Sequence, residues 1–497
     1  MVLTLLGGCM VASTWASNLM WTLLAANWVL EGRWREKWQL ARESRMLHAL
    51  WALLLAFVVS ALRSSSLAMG LDELRVLLPL MVVGTVTLTT PAVTGRTRNI
   101  VLWLFAGTVF VVSVISAVRL AVIPNLPYRL AVPYISHIRF SLCCCVTFLV
   151  ACNEPVPWRR HRLTPLLRVA LGGWMAVFIL LIRSYTAIAV LVVATAVVMA
   201  TSRRHRRLLW LWLAVLVVAA TAIILECRSY YRPSALERAP LAATTPNGRP
   251  YSHHDPSVVE CGSCIDHYIC HEEMASQWAK RSALPFYGND PHGFRLEATL
   301  IRYLNALGLP KDSVGVASLT DAQVREVESG VPNPVALHGN PLRRMVYPML
   351  FEWELYRCYG TVTGSSVLQR VELWHATLRL IRDHLWTGVP IGDLIHALNA
   401  ELAQMRSPLT GRDMLPHSQY LTLIAIFGLP LFLLVLVFFL RVIPGLRCQG
   451  PLMTAWVAAV LLSFLTENTL GTNAGILFCT FFLAFRHPSP RRDSSQQ

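Results

Sequence analysis

The chain has 497 residues, 55% of them hydrophobic and 14% charged, and its mean hydropathy is positive. A soluble globular chain carries roughly 25% charged residues, so this balance excludes a purely soluble protein and points to insertion in a bilayer. The formal net charge of +16 would suit nucleic acid only if it formed a basic face; here it is spread over short connections between apolar runs, which leaves no charge for a nucleic-acid partner.

In chain order the apolar runs fall at 2–30, 46–62, 72–92, 99–122, 130–152, 166–182, 185–200, 208–225, 418–440, 451–467 and 468–486. Each is close to the roughly 17–25 residues that cross about 30 Å of hydrocarbon as a helix. The first run is longer than one span needs and reads either as one tilted helix or as a span plus an interfacial piece. Its basic residues follow the apolar stretch, which argues against a cleaved signal peptide. The expected fold is therefore an all-α polytopic membrane protein with about 11 or 12 transmembrane helices.

Arg33, Arg35, Lys37, Arg42 and Arg45 form the first basic cluster, followed by Arg96 and Arg98, then Arg159, Arg160, Arg162 and Arg168. Arg203, Arg204, Arg206 and Arg207 come next, then Arg441 and Arg447, and finally Arg486, Arg491 and Arg492. Every second connection is basic, the pattern of cytoplasmic loops. Passes counted from either end put all these clusters in the cytoplasm and the long polar stretch outside. The expected organisation is an N-terminal transmembrane bundle (1–226), a large, mainly helical periplasmic loop (227–417), C-terminal transmembrane helices (418–487) and a cytoplasmic polar tail (488–497). The implied location is a bacterial inner membrane.

Within the loop, 228–260 is rich in Pro, Ser, Thr, Arg and His and reads as irregular. Phe294, Leu296, Leu300, Ile301, Leu304 and Leu307 form a helical stripe over 293–308, stopped by Gly308 and Pro310. A second helix is expected from Thr320, capped by Ser318 or Thr320 and ended by Gly330. The clearest one is 366–386, where Val367, Val371, Trp374, Leu378, Ile381 and Leu385 step by four and three. Arg370 borders that stripe, and Gly388 and Pro390 end it. Residues 389–416 show no strand, and Pro416 breaks the chain just before His417 opens the next span.

Of the twelve Cys, Cys143, Cys144 and Cys145 lie in an apolar run and behave as small hydrophobes. Cys227, Cys261, Cys264, Cys270 and Cys358 lie in the loop, where an oxidising compartment permits one or two disulfides. Cys261, Cys264, Cys270 and His271 have spacing suggestive of zinc. A second ligand pair is missing, however, and HEEMA from His271 lacks the second His of a zinc-protease helix, so a local disulfide is the stronger expectation.

Topology gathers three groups on the outer face: Arg183 between two spans, Arg370 in the loop helix and His417 where the loop re-enters the bilayer. A lone Arg at a helix end commonly snorkels and a lone interfacial His is ordinary, but an outer-leaflet Arg runs against the positive-inside bias. Two guanidinium groups facing a His suit a lipid-linked diphosphate, because guanidinium stays charged and grips phosphate oxygens bidentately. The His would then act as general base on an attacking hydroxyl or help hold the leaving group. Tyr420, one turn on, reads better as an interfacial anchor than as a site residue.

The stretch HSQYLTLIAIFGLPLFLLVLVFFL (417–440) resembles the loop-to-membrane signature of the O-antigen ligase and polymerase superfamily. QRVELWHATLRLIRDHLWTGVPIGDL (369–394) is similar to that family's segment with an Arg, a Trp and a Gly-rich end, and IRSYTAIAVL (182–191) resembles its span start. YSHHD, IRYLNALGLPKDSVGV, QVREVESGVPN, NWVLEGRWREKW and HIRFSL resemble the variant common in Bacteroidetes-type bacteria. The resemblance implies a GT-C-like membrane glycosyltransferase that moves a glycan from undecaprenyl diphosphate to an acceptor without a metal or other cofactor. The acceptor would be lipid A–core, a growing glycan or a protein, and membrane lipids would surround the enzyme. By motif, His417 would be catalytic and Arg183 and Arg370 would bind the diphosphate, with Arg412 as a third candidate. The chain departs from the family pattern at Ser418, where Asn is usual, at Pro390 in the Gly-rich end, and at Arg412, which lies five residues before His417. A transporter or a non-catalytic scaffold is the rival reading; a transporter would show two related halves and broken spans, and the sequence shows neither.

Overall fold

The computed structural model describes residues 2–123, 126–157, 164–201, 206–255, 257–362, 364–447 and 450–486. They form two compact units: Met1–Trp210 with Leu373–Gln497, and Leu211–Glu372.

Apolar helices build the first unit, and one of them, Arg207–Tyr230, carries the chain into the second. Across the described residues, Arg45–Leu62, Gly95–Val122, Thr164–Leu181, Arg207–Tyr230 and Gln419–Gly445 are long and apolar enough to cross a membrane. Val2–Ala12, Leu78–Thr89, His137–Asn153, Tyr185–Thr201, Pro451–Thr466 and Asn473–Phe485 are shorter apolar helices. The apolar stretch of Arg207–Tyr230 has no buried residue, and Trp210, Val217 and Val218 are exposed. Water would not tolerate such a surface, so lipid is its solvent. The core of this unit is a ladder of large side chains. Phe105 meets Phe481 and Phe482 at ring-centroid distances of 6.1 and 5.4 Å, and Phe140 meets Phe178 at 5.7 Å.

Two of the expected runs are each two helices. Ser13 interrupts the first, its hydroxyl accepting from the Ala16 amide at 3.2 Å to cap Thr14–Leu30. The run at 72–92 divides into Leu67–Val76 and Leu78–Thr89.

The absence of broken spans expected from sequence is corrected. The Gln419–Leu440 helix is interrupted at Gly428, whose φ of 70° and ψ of 166° belong to a region that only glycine occupies. The backbone groups freed by the break are taken up by the chain that follows the helix ending at Asp383. Val389 N–H donates to the Ala425 carbonyl and Leu429 N–H to the Leu385 carbonyl, both at 2.7 Å. A Cβ on Gly388 would lie 2.4 Å from the Ile426 carbonyl oxygen. The break is thus filled by protein backbone, which is how irregular chain is tolerated among spans.

The Leu211–Glu372 unit has its own core, with Met274, Trp278, Leu296, Leu300, Tyr303, Leu304, Val316 and Val327 buried together. The expected helices form at Leu296–Ala306, Asp321–Glu328 and Ser366–Asp383. Thr320 and Gln323 close a reciprocal capping box. Helices not anticipated from sequence include His271–Trp278 and Pro341–Tyr359, with Pro348 inside it, and, in the first unit, Leu394–Gln404. A hairpin pairs Val259–Glu260 with Ser263–Cys264 around a turn at Cys261 and Gly262. The compact unit ends at Glu372, and residues 373–417 fold with the membrane helices.

The expected loop disulfide does not form: Cys227, Cys261, Cys264, Cys270 and Cys358 are all free. Cys261 sits at the hairpin turn and takes a hydrogen bond from Asn333 at 3.4 Å, while Cys358 donates to the Ser257 carbonyl at 3.5 Å. Adjacency in the hairpin therefore does not bring the sulfurs together.

Candidate functional site

Two of the residues singled out from sequence have unusual backbones. Arg183 has φ of 50° and His417 has φ of 52°, in the left-handed region that costs a non-glycine residue about 1–2 kcal/mol. At Arg183 the cause is the helix end before it. Ser184 N–H donates to the Ile179 carbonyl at 3.4 Å and Arg183 N–H to the Leu180 carbonyl at 3.1 Å. Those are the two bonds of a Schellman motif, and Arg183 stands where glycine is usual. Its side chain is exposed, and the next helix starts two residues later. At His417 the chain turns between Pro416 and Ser418, and the Ser418 hydroxyl caps the Gln419–Leu440 helix by accepting from Leu421 N–H at 3.5 Å.

Helix packing brings Arg183 and His417 to one end of the bundle. Thr186, three residues after Arg183, shares a 3.0 Å hydrogen bond with Thr466, the last residue of the Pro451–Thr466 helix. The next residue, Glu467, is 3% exposed and places its Oε2 3.9 Å from His417 Nδ1. On the other side, the Ser418 hydroxyl donates to the Phe464 carbonyl at 3.4 Å, and the Gln419 side-chain oxygen accepts from Leu470 N–H at 2.8 Å. Arg139, in the first turn of the helix from His137, interacts electrostatically with Glu467.

Among the buried polar atoms without a hydrogen-bond partner are three on the segments that pack here: Arg139 Nε, Ser184 Oγ and Asn468 Nδ2. Asn468 uses its oxygen, accepting from the Thr422 hydroxyl at 2.9 Å, so its orphaned amide donor is not a loose side chain. Buried polar groups are normally satisfied, and unsatisfied donors gathered near one carboxylate and one imidazole suit a polar ligand.

Two depressions flank the cluster. An open cleft with about 510 Å³ of empty space is lined by Glu73, Leu415, Gln419, Thr422, Asn468 and Leu470, among others. A larger apolar groove, about 1030 Å³, is lined by Tyr420, Phe432, Val457, Phe464 and Leu470 among others. Leu470 belongs to both. The cleft is lined mostly by apolar side chains, with Glu73, Gln419, Thr422 and Asn468 as its polar residues, and it shares a wall with the groove. Tyr420 is committed to this wall, its hydroxyl donating to the Leu461 carbonyl at 3.0 Å, as an anchoring residue would be.

The other two candidates stand differently. Arg412 is exposed on a turn that Asn399 pins by bonding Gly411 N–H and Asp413, close in sequence to His417. Arg370 belongs to the Leu211–Glu372 unit, half-buried in the Ser366–Asp383 helix, where one of its guanidinium nitrogens donates to the Ser366 carbonyl at 3.1 Å.

Glu467, Asn468, Ser184 and Arg139 were not singled out from sequence. The available signal was an acidic residue at the end of an apolar run on the same side as Arg183 and His417. For Arg139, it was a cation at the start of another such run.

No curated protein matches the chain. A family model described as O-antigen ligase (Wzy_C) matches residues 328–436, a stretch that includes Arg370, Arg412 and His417 and excludes Arg183 and Glu467. Residues 328–436 are thus an O-antigen ligase family domain, which indicates an O-antigen ligase-like, glycosyltransferase-type function for this integral membrane protein.

Proposed function

We propose that the protein transfers a glycan from undecaprenyl diphosphate to an acceptor hydroxyl, with lipid A–core as the acceptor. The observation that supports this reading is the His417–Glu467 pair next to a cleft with Gln419, Thr422 and Asn468 in its wall, which shares Leu470 with an apolar groove. The groove suits a polyprenyl chain, and the polar groups around His417 suit its diphosphate and sugar. His417 takes the proton from the acceptor hydroxyl as the hydroxyl oxygen bonds to the anomeric carbon. The bond from that carbon to the diphosphate oxygen breaks, and undecaprenyl diphosphate leaves with the electron pair. Arg183 and Arg412 offset the charge that develops on the leaving group, and Arg370 is retained as a diphosphate ligand on its motif. Glu467 steadies the imidazolium that forms, the part a buried carboxylate plays beside a catalytic histidine. No protein-bound metal enters this chemistry.

The same reading puts residues 227–417 outside the cytoplasm and about eleven spans across a bacterial inner membrane, supported by the alternation of basic connections. The test is His417→Ala in the native host, with gel analysis of lipopolysaccharide, capsule and glycoproteins beside the deletion strain. Loss of the ladder on lipid A from correctly inserted protein is the expected result. Single-repeat products would instead indicate a polymerase and unglycosylated proteins an oligosaccharyltransferase; an unchanged phenotype would remove the enzymatic reading altogether.

A further inference from the structure

In the Leu211–Glu372 unit, three residues of different chemistry converge. Glu237 lies in the short helix Ala235–Arg238, Cys264 ends the second strand of the hairpin, and His267 follows it by three residues. One ligand atom from each lies within 4.8 Å of the other two. We propose that Glu237, Cys264 and His267 bind a zinc ion that ties the chain leaving the Arg206–Tyr230 helix to this hairpin.

The geometry supports zinc over a simple ion-pair network. Donors at about 2.0–2.3 Å from one tetrahedral zinc lie about 3.3–3.6 Å from one another. His267 Nδ1 stands 3.3 Å from Glu237 Oε2, the edge of such a tetrahedron. The opposite ring nitrogen, Nε2, faces Asp255 Oδ1 at 3.4 Å. A carboxylate behind the ring is the usual partner of a metal-bound histidine, fixing its tautomer so that the other nitrogen keeps its lone pair for the ion. Thiolate with imidazole and carboxylate suits zinc better than magnesium or calcium, which take oxygen.

The surrounding chain holds the three groups in place. The second Glu237 oxygen accepts from Cys264 N–H at 3.1 Å, leaving Oε2 turned toward the histidine. Ser234 caps the helix of Glu237 and donates its own N–H to the Gly262 carbonyl at 2.9 Å. A Cβ at Gly262 would lie 1.9 Å from the Arg232 carbonyl oxygen, so only glycine lets the two segments meet. After His267, Tyr268 adopts a left-handed backbone and buries its ring. Glu237 and His267 are largely buried themselves, with side chains 13% and 9% exposed. Three protein ligands leave a fourth position for water.

The arrangement differs from the ligand set considered from spacing alone. His271 is turned to Glu297, 2.9 Å away, and Cys261 bonds Asn333. The site also stands independently of the glycan-transfer reading, since none of its residues takes part there.

The test uses the full-length protein, purified in detergent without chelator and with any affinity tag removed, then equilibrated with zinc and desalted. About one zinc per chain is expected by elemental analysis. X-ray absorption should show one sulfur at about 2.3 Å and nitrogen or oxygen at about 2.0–2.1 Å. Cobalt substitution should give a thiolate charge-transfer band. Cys264→Ser and His267→Ala should abolish uptake, Asp255→Asn should weaken it about 10–100-fold, and Cys358→Ser should leave it unchanged. Substoichiometric uptake by the wild-type protein, a metal spectrum without sulfur, or a full equivalent retained by Cys264→Ser would overturn the proposal. The wild-type spectra decide the matter if a variant fails to fold.

Discussion

The imidazole Nδ1 of His417 lies 3.9 Å from the buried carboxylate Oε2 of Glu467, although fifty residues and the whole Gln419–Leu440 helix separate them in sequence. The distance is too long for a tight hydrogen bond and short enough for the carboxylate to stabilise a cationic ring. Arg139 interacts electrostatically with the same glutamate.

If Glu467 acts through His417, removing its charge should slow the chemical step more than it weakens donor binding. Glu467→Gln is expected to lower kcat by about 10–100-fold, below the roughly 10⁴-fold seen where a carboxylate bonds its histidine directly. KM for the lipid donor should stay within about twofold. Steady-state transfer in proteoliposomes checks the split. A fall in thermal midpoint with kcat intact would show a structural residue instead.

Arg183 offers a separation of strain from function. Because it occupies the glycine position of a Schellman motif, Arg183→Gly should relieve backbone strain and raise unfolding stability by about 0.5–1 kcal/mol. The same change deletes the guanidinium proposed to hold phosphate oxygens, and on that proposal transfer should fall about 100-fold or more. Arg183→Lys keeps the charge without the planar fork and should recover only part of the loss. Thermal unfolding and donor turnover, measured on the same preparations, test both halves. Full activity in Arg183→Gly would reduce the arginine to a snorkelling side chain.

Arg183 and His417 were legible in the sequence because each is a polar interruption at the edge of an apolar run, where a charged or titratable group is costly and asks for a reason. Glu467 has the same character, yet it stands in a connection that looked nearly uncharged. Its significance depends on the Pro451–Thr466 helix packing beside the helix from Tyr185, which no local pattern announces. The break at Gly428 was hidden for a related reason: a glycine and a proline among leucines and phenylalanines still average to a continuous apolar run. In the polar unit, Leu296–Ala306 showed its buried stripe, whereas Pro348 obscured Pro341–Tyr359. Spacing groups Cys264 with its sequence neighbours, whereas the fold brings Glu237 to it from before the hairpin.

Cys261 should respond to pH in a way its neighbours in sequence would not suggest. Burial and the adjacent Glu260 carboxylate push its thiol up to about 12, against 9.0 for an ordinary cysteine. At about pH 8 its thiolate, and hence its alkylation rate, should be about 10³-fold lower than in the unfolded chain. Between about pH 9 and about pH 12 the unfolded thiol has lost its proton while the folded one keeps it. The folded state then binds more protons, so this residue's contribution to stability falls as pH rises through that window. Peptide mapping after timed alkylation, with and without denaturant, measures the ratio. Equal rates in the two states would mean that Cys261 is open to solvent.

The break at Gly428 makes the most demanding structural prediction. With φ of 70° and ψ of 166°, the residue cannot accept a side chain without strain, and an added Cβ would lie 2.8 Å from the Trp386 carbonyl carbon and oxygen. Gly428→Ala should therefore cost at least about 1–3 kcal/mol from the backbone alone, and more as the chain at 386–389 is pushed away. That chain is bonded through Val389 to Ala425 and through Arg63 to the Thr387 carbonyl at 2.8 Å. Losing its seat should loosen the start of the Gln419–Leu440 helix, and with it His417. Gly388→Ala meets the same backbone from the other side, 2.4 Å from the Ile426 carbonyl oxygen, and should behave alike. By contrast, Gly360→Ala, at a helix end with open space around it, should cost only its unfavourable φ, about 1 kcal/mol. Yield, thermal midpoint and transfer activity of the three variants rank the sites. A Gly428→Ala protein as stable as Gly360→Ala would mean that the helix runs unbroken through this position.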